Sequence, residues 1–244
     1  MEILGIDIGG SGIKGAPVNS RSGKMTAERK RIPTPNPATP EEITDTFAKI
    51  VKYFNWSGSI GCGFPAVVRN GIVGTASNID KRWIGQNVCQ LFTEAAGAET
   101  VVVNDADAAG VAEMALGAGR GNKGVVVIIT VGTGLGTAVF SNGHLFPNTE
   151  LGHILIDGII AENFTSDAVR KKEDLSWKKW TKRFNVYLAE IERLLWPDLI
   201  IIGGGVSKKQ EKFFKYLEKK TKVVPAKLLN EAGIIGAAMA RKFF

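Results

Sequence analysis

Cysteine is nearly absent from this chain: among 244 residues only Cys62 and Cys89 occur. Two thiols build neither a disulfide scaffold nor a cysteine zinc site, and they read as reduced side chains in or near a core. No apolar run reaches the roughly 18 residues that a membrane-spanning helix needs. Asp7 and Gly9 interrupt the first apolar stretch, so it does not read as a secretion signal, and a cytoplasmic location is expected. No low-complexity linker marks a boundary, and no zinc or aromatic-interleaved basic motif points to nucleic acid. What is left is 44% hydrophobic and 23% charged, an ordinary ordered composition on a chain long enough for two modest domains.

Glycine is abundant, with 29 copies clustered behind apolar runs, where it serves turns and close backbone approach. One cluster, Asp7-Ile8-Gly9-Gly10-Ser11-Gly12-Ile13-Lys14-Gly15, has an echo 123 residues later in Ile129-Thr130-Val131-Gly132-Thr133-Gly134. Each is an apolar strand that runs into a glycine turn and out into a second apolar run. The first is not a Walker loop, since no Gly-Lys-Ser/Thr follows, and not a dinucleotide fingerprint, since a strand rather than a helix follows. A single such turn is as well explained by a plain hairpin. A pair of them fits a grip on a phosphate chain, because glycine backbone N–H groups reach phosphate oxygens without a Cβ in the way. Ser11 adds a hydroxyl, Lys14 a charge, and Asp7 a carboxylate able to order a hydrated Mg²⁺.

The net charge of +7 lies wholly in the second half: residues 1–122 hold 12 basic and 12 acidic side chains, residues 123–244 hold 19 and 12. Two readings stay open, a track for a polyanion and a solvated face on lysine-rich helices. Lys14, Lys123, Lys171, Lys172, Lys208 and Lys209 are the candidates for such a track.

Strands and helices alternate, which predicts an α/β architecture. Thr39-Pro40-Glu41-Glu42 reads as a helix start with a capping Thr, Pro in the first turn and acids beside it; the helix runs to about Phe54. Strands are expected at 59–64, 100–103 and 199–202, hairpins around Asn70-Gly71 and Gly132–Gly136, and helices over 86–96, 106–116, 176–193, 208–220 and 232–243. Trp177, Trp180 and Phe184 fall on one face of a helix and read as core rather than ligand groups. Asp105 ends an apolar strand, where a carboxylate could orient a hydroxyl and take its proton; Asp107 is the rival, favoured as an acid at the helix start.

With these residues in place, the chain resembles the ROK group of sugar kinases, within the actin-like ATPase superfamily. The resemblance rests on five motifs in order: Asp7–Gly15, Val103–Gly110, Gly132–Thr137, Glu150-Leu151-Gly152-His153 and Ile201–Ser207. It implies two actin-like, ribonuclease H-like α/β domains with an interdomain cleft: residues 1–105 as a small N-terminal domain, 106–231 as a larger C-terminal one, and a last helix in 232–244 packing back on the first. It implies Asp105 as the catalytic base and Asn78, Asn104, Asp105, Glu150 and His153 as sugar-binding groups. Donor phosphates fall to Gly9, Gly10, Ser11, Gly12 and Lys14 and to Gly132, Thr133, Gly134 and Gly136. Gly203, Gly204, Gly205 and Lys208 go to the distal donor or a nucleotide, Mg²⁺ is held near Asp7 through water, and the assembly is a homodimer.

One departure narrows the resemblance. Typical members carry a zinc module after the Glu-x-Gly-His motif, whereas residues 154–175 hold no cysteine, so no zinc site is expected. Glu162 is a stand-in for the missing sugar contact. Glu150–His153, Ile156-Asp157-Gly158 and Asp174–Trp177 resemble the zinc-free ROK members that phosphorylate glucose from inorganic polyphosphate, some of which also use ATP or accept mannose. The rivals are an ATP-only kinase for glucose, mannose or fructose, and a sugar sensor without catalysis. Sensors of this group carry a DNA-binding segment ahead of a phosphate motif that here begins at residue 7.

Overall fold

A computed structural model describes residues 1–77 and 79–240. The chain divides into two compact units, Met1–Ala112 with the segment from Glu231 onward, and Glu113–Asn230. In the first unit β1 (Glu2–Gly9) and β2 (Gly12–Asn19) form a hairpin closed at the Gly9–Gly12 pair, and the short strand β3 (Lys30–Ile32) adds to its edge. Helix α1 (Pro40–Tyr53) follows, its N-terminus capped by the Thr39 hydroxyl, which accepts from the Glu42 N–H at 3.3 Å. Then come β4 (Ile60–Phe64), a small hairpin of β5 (Val68–Arg69) and β6 (Ile72–Val73), helix α2 (Val88–Ala96), β7 (Thr100–Asn104) and helix α3 (Asp105–Leu116), whose residues from Glu113 on count with the second unit. The sheet order is β3-β2-β1-β4-β7. Strands β1, β4 and β7 run parallel, so their C-terminal ends share one edge.

The second unit repeats this plan. Its strands are β8 (Val125–Val131), β9 (Leu135–Ser141) and β10 (His144–Phe146), with a small separate hairpin of β11 (Leu155–Ile156) and β12 (Ile159–Ile160). Helices α4 (Glu162–Thr165), α5 (Asp167–Lys172) and α6 (Trp177–Leu195) come next, then β13 (Leu199–Gly203), α7 (Gln210–Phe213) and β14 (Lys222–Pro225). The order β10-β9-β8-β13-β14 has the same directions as the first sheet, two antiparallel pairings and then two parallel ones. The echo read between the two glycine clusters is thus a repeat of topology. In this unit Trp180, Phe184 and Tyr187 of α6 are fully buried against the apolar face of β8 and β13.

Helix α8 (Ala232–Ala240) belongs to the first unit and lies against its sheet. Glycine makes the approach possible: a Cβ on Gly61 would overlap the Ala237 carbonyl, and one on Gly236 would overlap the Ala108 carbonyl of α3. The helix is apolar on every side and buried on every side, as such a composition requires.

The basic segment 208–220 does not form the single helix expected of it. It breaks into 3₁₀ turns around the four residues of α7. Lys208 and Lys212, and Lys215 and Lys219, would stack like charges one turn apart in a continuous helix. Burying Phe213, which stacks on Trp177 at 5.8 Å, fixes the backbone instead. Asn185 then brackets the segment, donating to the Tyr216 carbonyl at 3.0 Å and accepting from the Glu218 N–H at 3.1 Å.

Candidate active site

The first unit gathers its polar groups at the C-terminal edge of β1, β4 and β7. Asp7 on β1 is in register with Gly63 on β4, and Gly63 with Val103 on β7. Adjacent strands lie about 4.8 Å apart, so the turn after β1 and the start of α3 are separated by roughly 10 Å across the sheet. Asp105 opens α3 immediately beyond β7. It is partly exposed, and its Oδ1 accepts the Ala106 N–H at 2.8 Å. The Cα and Cβ of Asp105 lie 3.4 and 3.8 Å from where a Cβ on Gly63 would stand. The strand end at Gly63 thus lies in van der Waals range of the Asp105 backbone, while Phe64 anchors the Gly63-Phe64-Pro65 turn against Trp83 in the core.

Asn104 is buried, and its amide is used inside the protein. Its Oδ1 accepts from the N–H groups of Ala106 and Asp107 at 2.9 and 3.1 Å, and its Nδ2 donates to the Ala66 carbonyl at 3.1 Å. It is the N-cap of α3 and aims Asp105. Asp107 is buried in the first turn of the same helix, where an acid meets the positive end of the dipole.

At the first glycine turn, Lys14 pairs with Asp7 at 3.0 Å, directly opposite it in the ladder. Two further residues reach the turn. Thr34 donates its hydroxyl to the Gly9 carbonyl at 2.5 Å, and Arg31 donates from Nη2 to the Ser11 carbonyl at 2.6 Å. Neither was singled out by sequence, because the proline-rich stretch around them hides the third strand that carries Arg31 to Lys14's side. Gly233, at the start of α8, packs its backbone on the Asp7 carboxylate. Asn78 lies outside the described residues.

The second unit builds its turn at the matching strand end. Gly132 donates its N–H to the Gly134 carbonyl at 3.0 Å, and Ala168 at the start of α5 donates to the Gly132 carbonyl at 3.2 Å. Glu162 accepts the Leu135 N–H at 2.8 Å, and a Cβ on Gly134 would overlap that carboxylate. Gly204 adopts φ of 74° with its Cα against the backbone of Val131. This places the Gly203–Gly205 run beside the Gly132 turn at one sheet edge, since Gly203 is in register with Thr130. Lys208 follows on the surface.

Glu150 and His153 are fastened to the same strand. Thr137 on β9 accepts the Leu151 N–H at 3.1 Å and donates to the Thr149 carbonyl at 2.8 Å. The Glu150 carboxylate meets His153 Nδ1 at 3.1 Å, with both side chains about one-third exposed. Burial lifts the Glu150 carboxyl above the ordinary carboxylate range; His153 pulls it back and the neighbouring Glu162 adds to the rise. Glu150, His153, Glu162 and the second glycine turn thus form one polar cluster in the second unit.

Of the candidate lysines, Lys14 is spent on Asp7 and Lys171 on Asp167 at 2.7 Å. Lys123, Lys172, Lys208 and Lys209 are exposed; Lys172 acts on the neighbouring Glu173 carboxyl, and Lys123, Lys208 and Lys209 form no ion pair among the described residues. A resident metal would need a cluster of ligating side chains, and among the described residues no group of three or more His, Cys, Asp or Glu could hold one. Asp7, beside the first glycine turn and paired with Lys14, is a single carboxylate, which is as many as a hydrated Mg²⁺ carried on phosphates would need from a protein.

Two sheets of one topology, each carrying a glycine turn, with Asp105 opening the helix after β7, make the duplicated α/β plan that the resemblance to sugar kinases implied. The ROK family model matches residues 3–169, and the chain belongs to the ROK family. It is 48% identical to polyphosphate glucokinase of Mycobacterium tuberculosis, an alignment spanning 97% of this chain and 90% of that one. Against the crystal structure of inorganic polyphosphate/ATP-glucomannokinase from Arthrobacter it has a TM-score of 0.96 at 43% identity, with 99% of each chain covered. A ROK glucokinase from Streptomyces griseus, solved with glucose and AMPPNP, shares the fold at a TM-score of 0.84 and 24% identity. The fold is the actin-like α/β fold of these sugar kinases.

Proposed function

We propose that this protein transfers the terminal phosphoryl group of inorganic polyphosphate to the 6-hydroxyl of glucose, giving glucose 6-phosphate. The observation that carries the chemistry is Asp105, set at a strand end by the buried Asn104 cap on the same edge as the first glycine turn. The likeness to polyphosphate glucokinase over nearly the whole chain supports the donor and acceptor. In the reaction the Asp105 carboxylate accepts the proton of the glucose 6-hydroxyl as its oxygen attacks the terminal phosphorus. The P–O–P bond breaks, and the chain leaves shortened by one unit.

The acceptor is held by the Glu150 carboxylate and the His153 imidazole, with Glu162 beside them and Asn78 as a further candidate. Two sets of N–H groups are the candidates for the donor phosphates, those of Gly9, Gly10, Ser11 and Gly12 in the first unit, with Lys14 beside them, and those of Gly132, Thr133, Gly134 and Gly136 in the second. Gly203–Gly205 and Lys208 take its distal part. When bound, Mg²⁺ near Asp7 neutralises charge on the phosphates. Cytoplasmic action as a homodimer belongs to the same reading.

ATP as a second donor and mannose as a second acceptor are favoured by the Arthrobacter neighbour, an inorganic polyphosphate/ATP-glucomannokinase. The test supplies glucose with polyphosphate and no nucleotide, beside parallel assays with ATP and with mannose. Glucose 6-phosphate is expected from polyphosphate. Product from ATP alone would leave an ATP-only hexose kinase, and glucose binding without any product would leave a sensor. Sedimentation of the purified protein tests the dimer.

A further inference from the structure

Arg31 sits twenty residues after Ser11, yet its guanidinium lies across the first glycine turn. A Cβ on Gly12 would stand 2.6 Å from its Nε and 2.8 Å from Cζ, so glycine at this position is what lets the guanidinium rest on the backbone. Nη2 donates to the Ser11 carbonyl at 2.6 Å. The charges around the turn are unequal in what they leave over. Lys14 and Asp7 face each other in the ladder and neutralise one another at 3.0 Å. Arg31 stands opposite Lys14 on the other side of β2 and is exposed, with no acidic partner among the described residues. One N–H of a five-donor fork is used on a carbonyl, and a planar guanidinium matches phosphate oxygens two at a time.

The turn does not need Arg31 to hold its shape. The β1–β2 ladder already closes at Gly9 opposite Gly12, and the Thr34 hydroxyl ties down the Gly9 carbonyl at 2.5 Å. We propose that Arg31 is a donor-binding residue: its guanidinium takes oxygens of the donor's phosphate chain at the first glycine turn and sets donor affinity without affecting the sugar. The proposal rests on the reading of this protein as a phosphotransferase and adds to Lys14, which is paired with Asp7, a cation at the turn that forms no ion pair among the described residues.

The full chain is compared with Arg31→Met and Arg31→Lys. The readouts are the KM for long polyphosphate, tripolyphosphate and ATP, the glucose KM, the salt dependence of the polyphosphate KM and thermal melting. Arg31→Met is expected to raise the KM for each phosphate donor about tenfold or more, the size of one lost charge-assisted hydrogen bond, with the glucose KM within about twofold. The slope of log KM against log salt falls by about one, as for loss of one cation from a polyanion site, and Arg31→Lys restores most of that slope. An unchanged donor KM and slope overturns the proposal. So does a loss in both variants that follows a lowered melting temperature while the slope stays put. Tripolyphosphate binding is also measured by calorimetry without glucose. If the parent protein makes no glucose 6-phosphate, weaker binding in Arg31→Met sustains Arg31 while the phosphotransfer reading falls, and equal binding ends the Arg31 assignment as well.

Discussion

Asp105 and Glu150 are both carboxylates near glycine turns, and their surroundings give them different work. Asp105 is aimed by backbone hydrogen bonds at the head of α3. Asp105→Asn keeps the shape and loses the base; turnover is expected to fall by about 10²–10⁴, with glucose affinity within a few-fold by calorimetry. Normal turnover in that variant would remove Asp105 from the mechanism. Glu150 is held partly out of water, and burial raises its carboxyl, with Glu162 adding to the effect against His153. A raised carboxyl stays neutral to a higher pH, and the ionised form is the stronger acceptor for the sugar hydroxyls that the proposed reading gives to Glu150. The acid limb of the glucose KM profile is therefore expected above the range of an ordinary carboxylate. Glu162→Gln removes one raising charge and should move that limb to lower pH; a limb that does not move would mean Glu150 is not the group observed. The linked effect on folding has the same sign: the neutral form favours the fold, so this stabilisation is present in acid and is lost as pH rises through the shifted value.

At the scale of elements, two features fix the first unit's sheet edge. One is the cap of α3. Asn104→Ala removes two accepted N–H bonds and strands the Ala66 carbonyl; a loss of about 1–2 kcal/mol is expected in urea unfolding, together with a lower kcat because Asp105 is no longer aimed. The other is the glycine-mediated seat of α8. Gly61→Val would drive a side chain into the Ala237 carbonyl and is expected to cost about 2 kcal/mol or more by overpacking. An unaltered melting temperature would show that α8 shifts without penalty. The segment 208–220 shows the opposite balance, where one buried phenylalanine and repelling lysines override a helical sequence pattern.

For the molecule as a whole, the entire excess of positive charge lies in residues 123–244, and Lys123, Lys208 and Lys209 are exposed there outside any ion pair among the described residues. Screening lengths are about 10 Å at 0.1 M salt, so attraction of a long polyanion should weaken steeply with ionic strength. The polyphosphate KM is expected to rise several-fold between low and moderate salt while the glucose KM stays flat. Lys208→Gln with Lys209→Gln should raise the polyphosphate KM more than the ATP KM, since a nucleotide offers only three phosphates. Equal effects on both donors would count against a track in this half.

The sequence by itself determined the α/β class, the doubling of a strand-turn-strand plan and the setting of Asp7, Asp105 and the glycine runs at strand ends and turns, because these depend on local pattern and residue type. The cap at Thr39 and the buried aromatic stripe of α6 were legible for the same reason. Only the tertiary structure decided that Asn104 spends its amide on capping, that Glu162 secures the second turn, that 208–220 breaks, and that Arg31 and Thr34 reach the first turn. Each of these depends on strands or loops brought together from distant positions, and strand register, not local sequence, selects which side chains meet there.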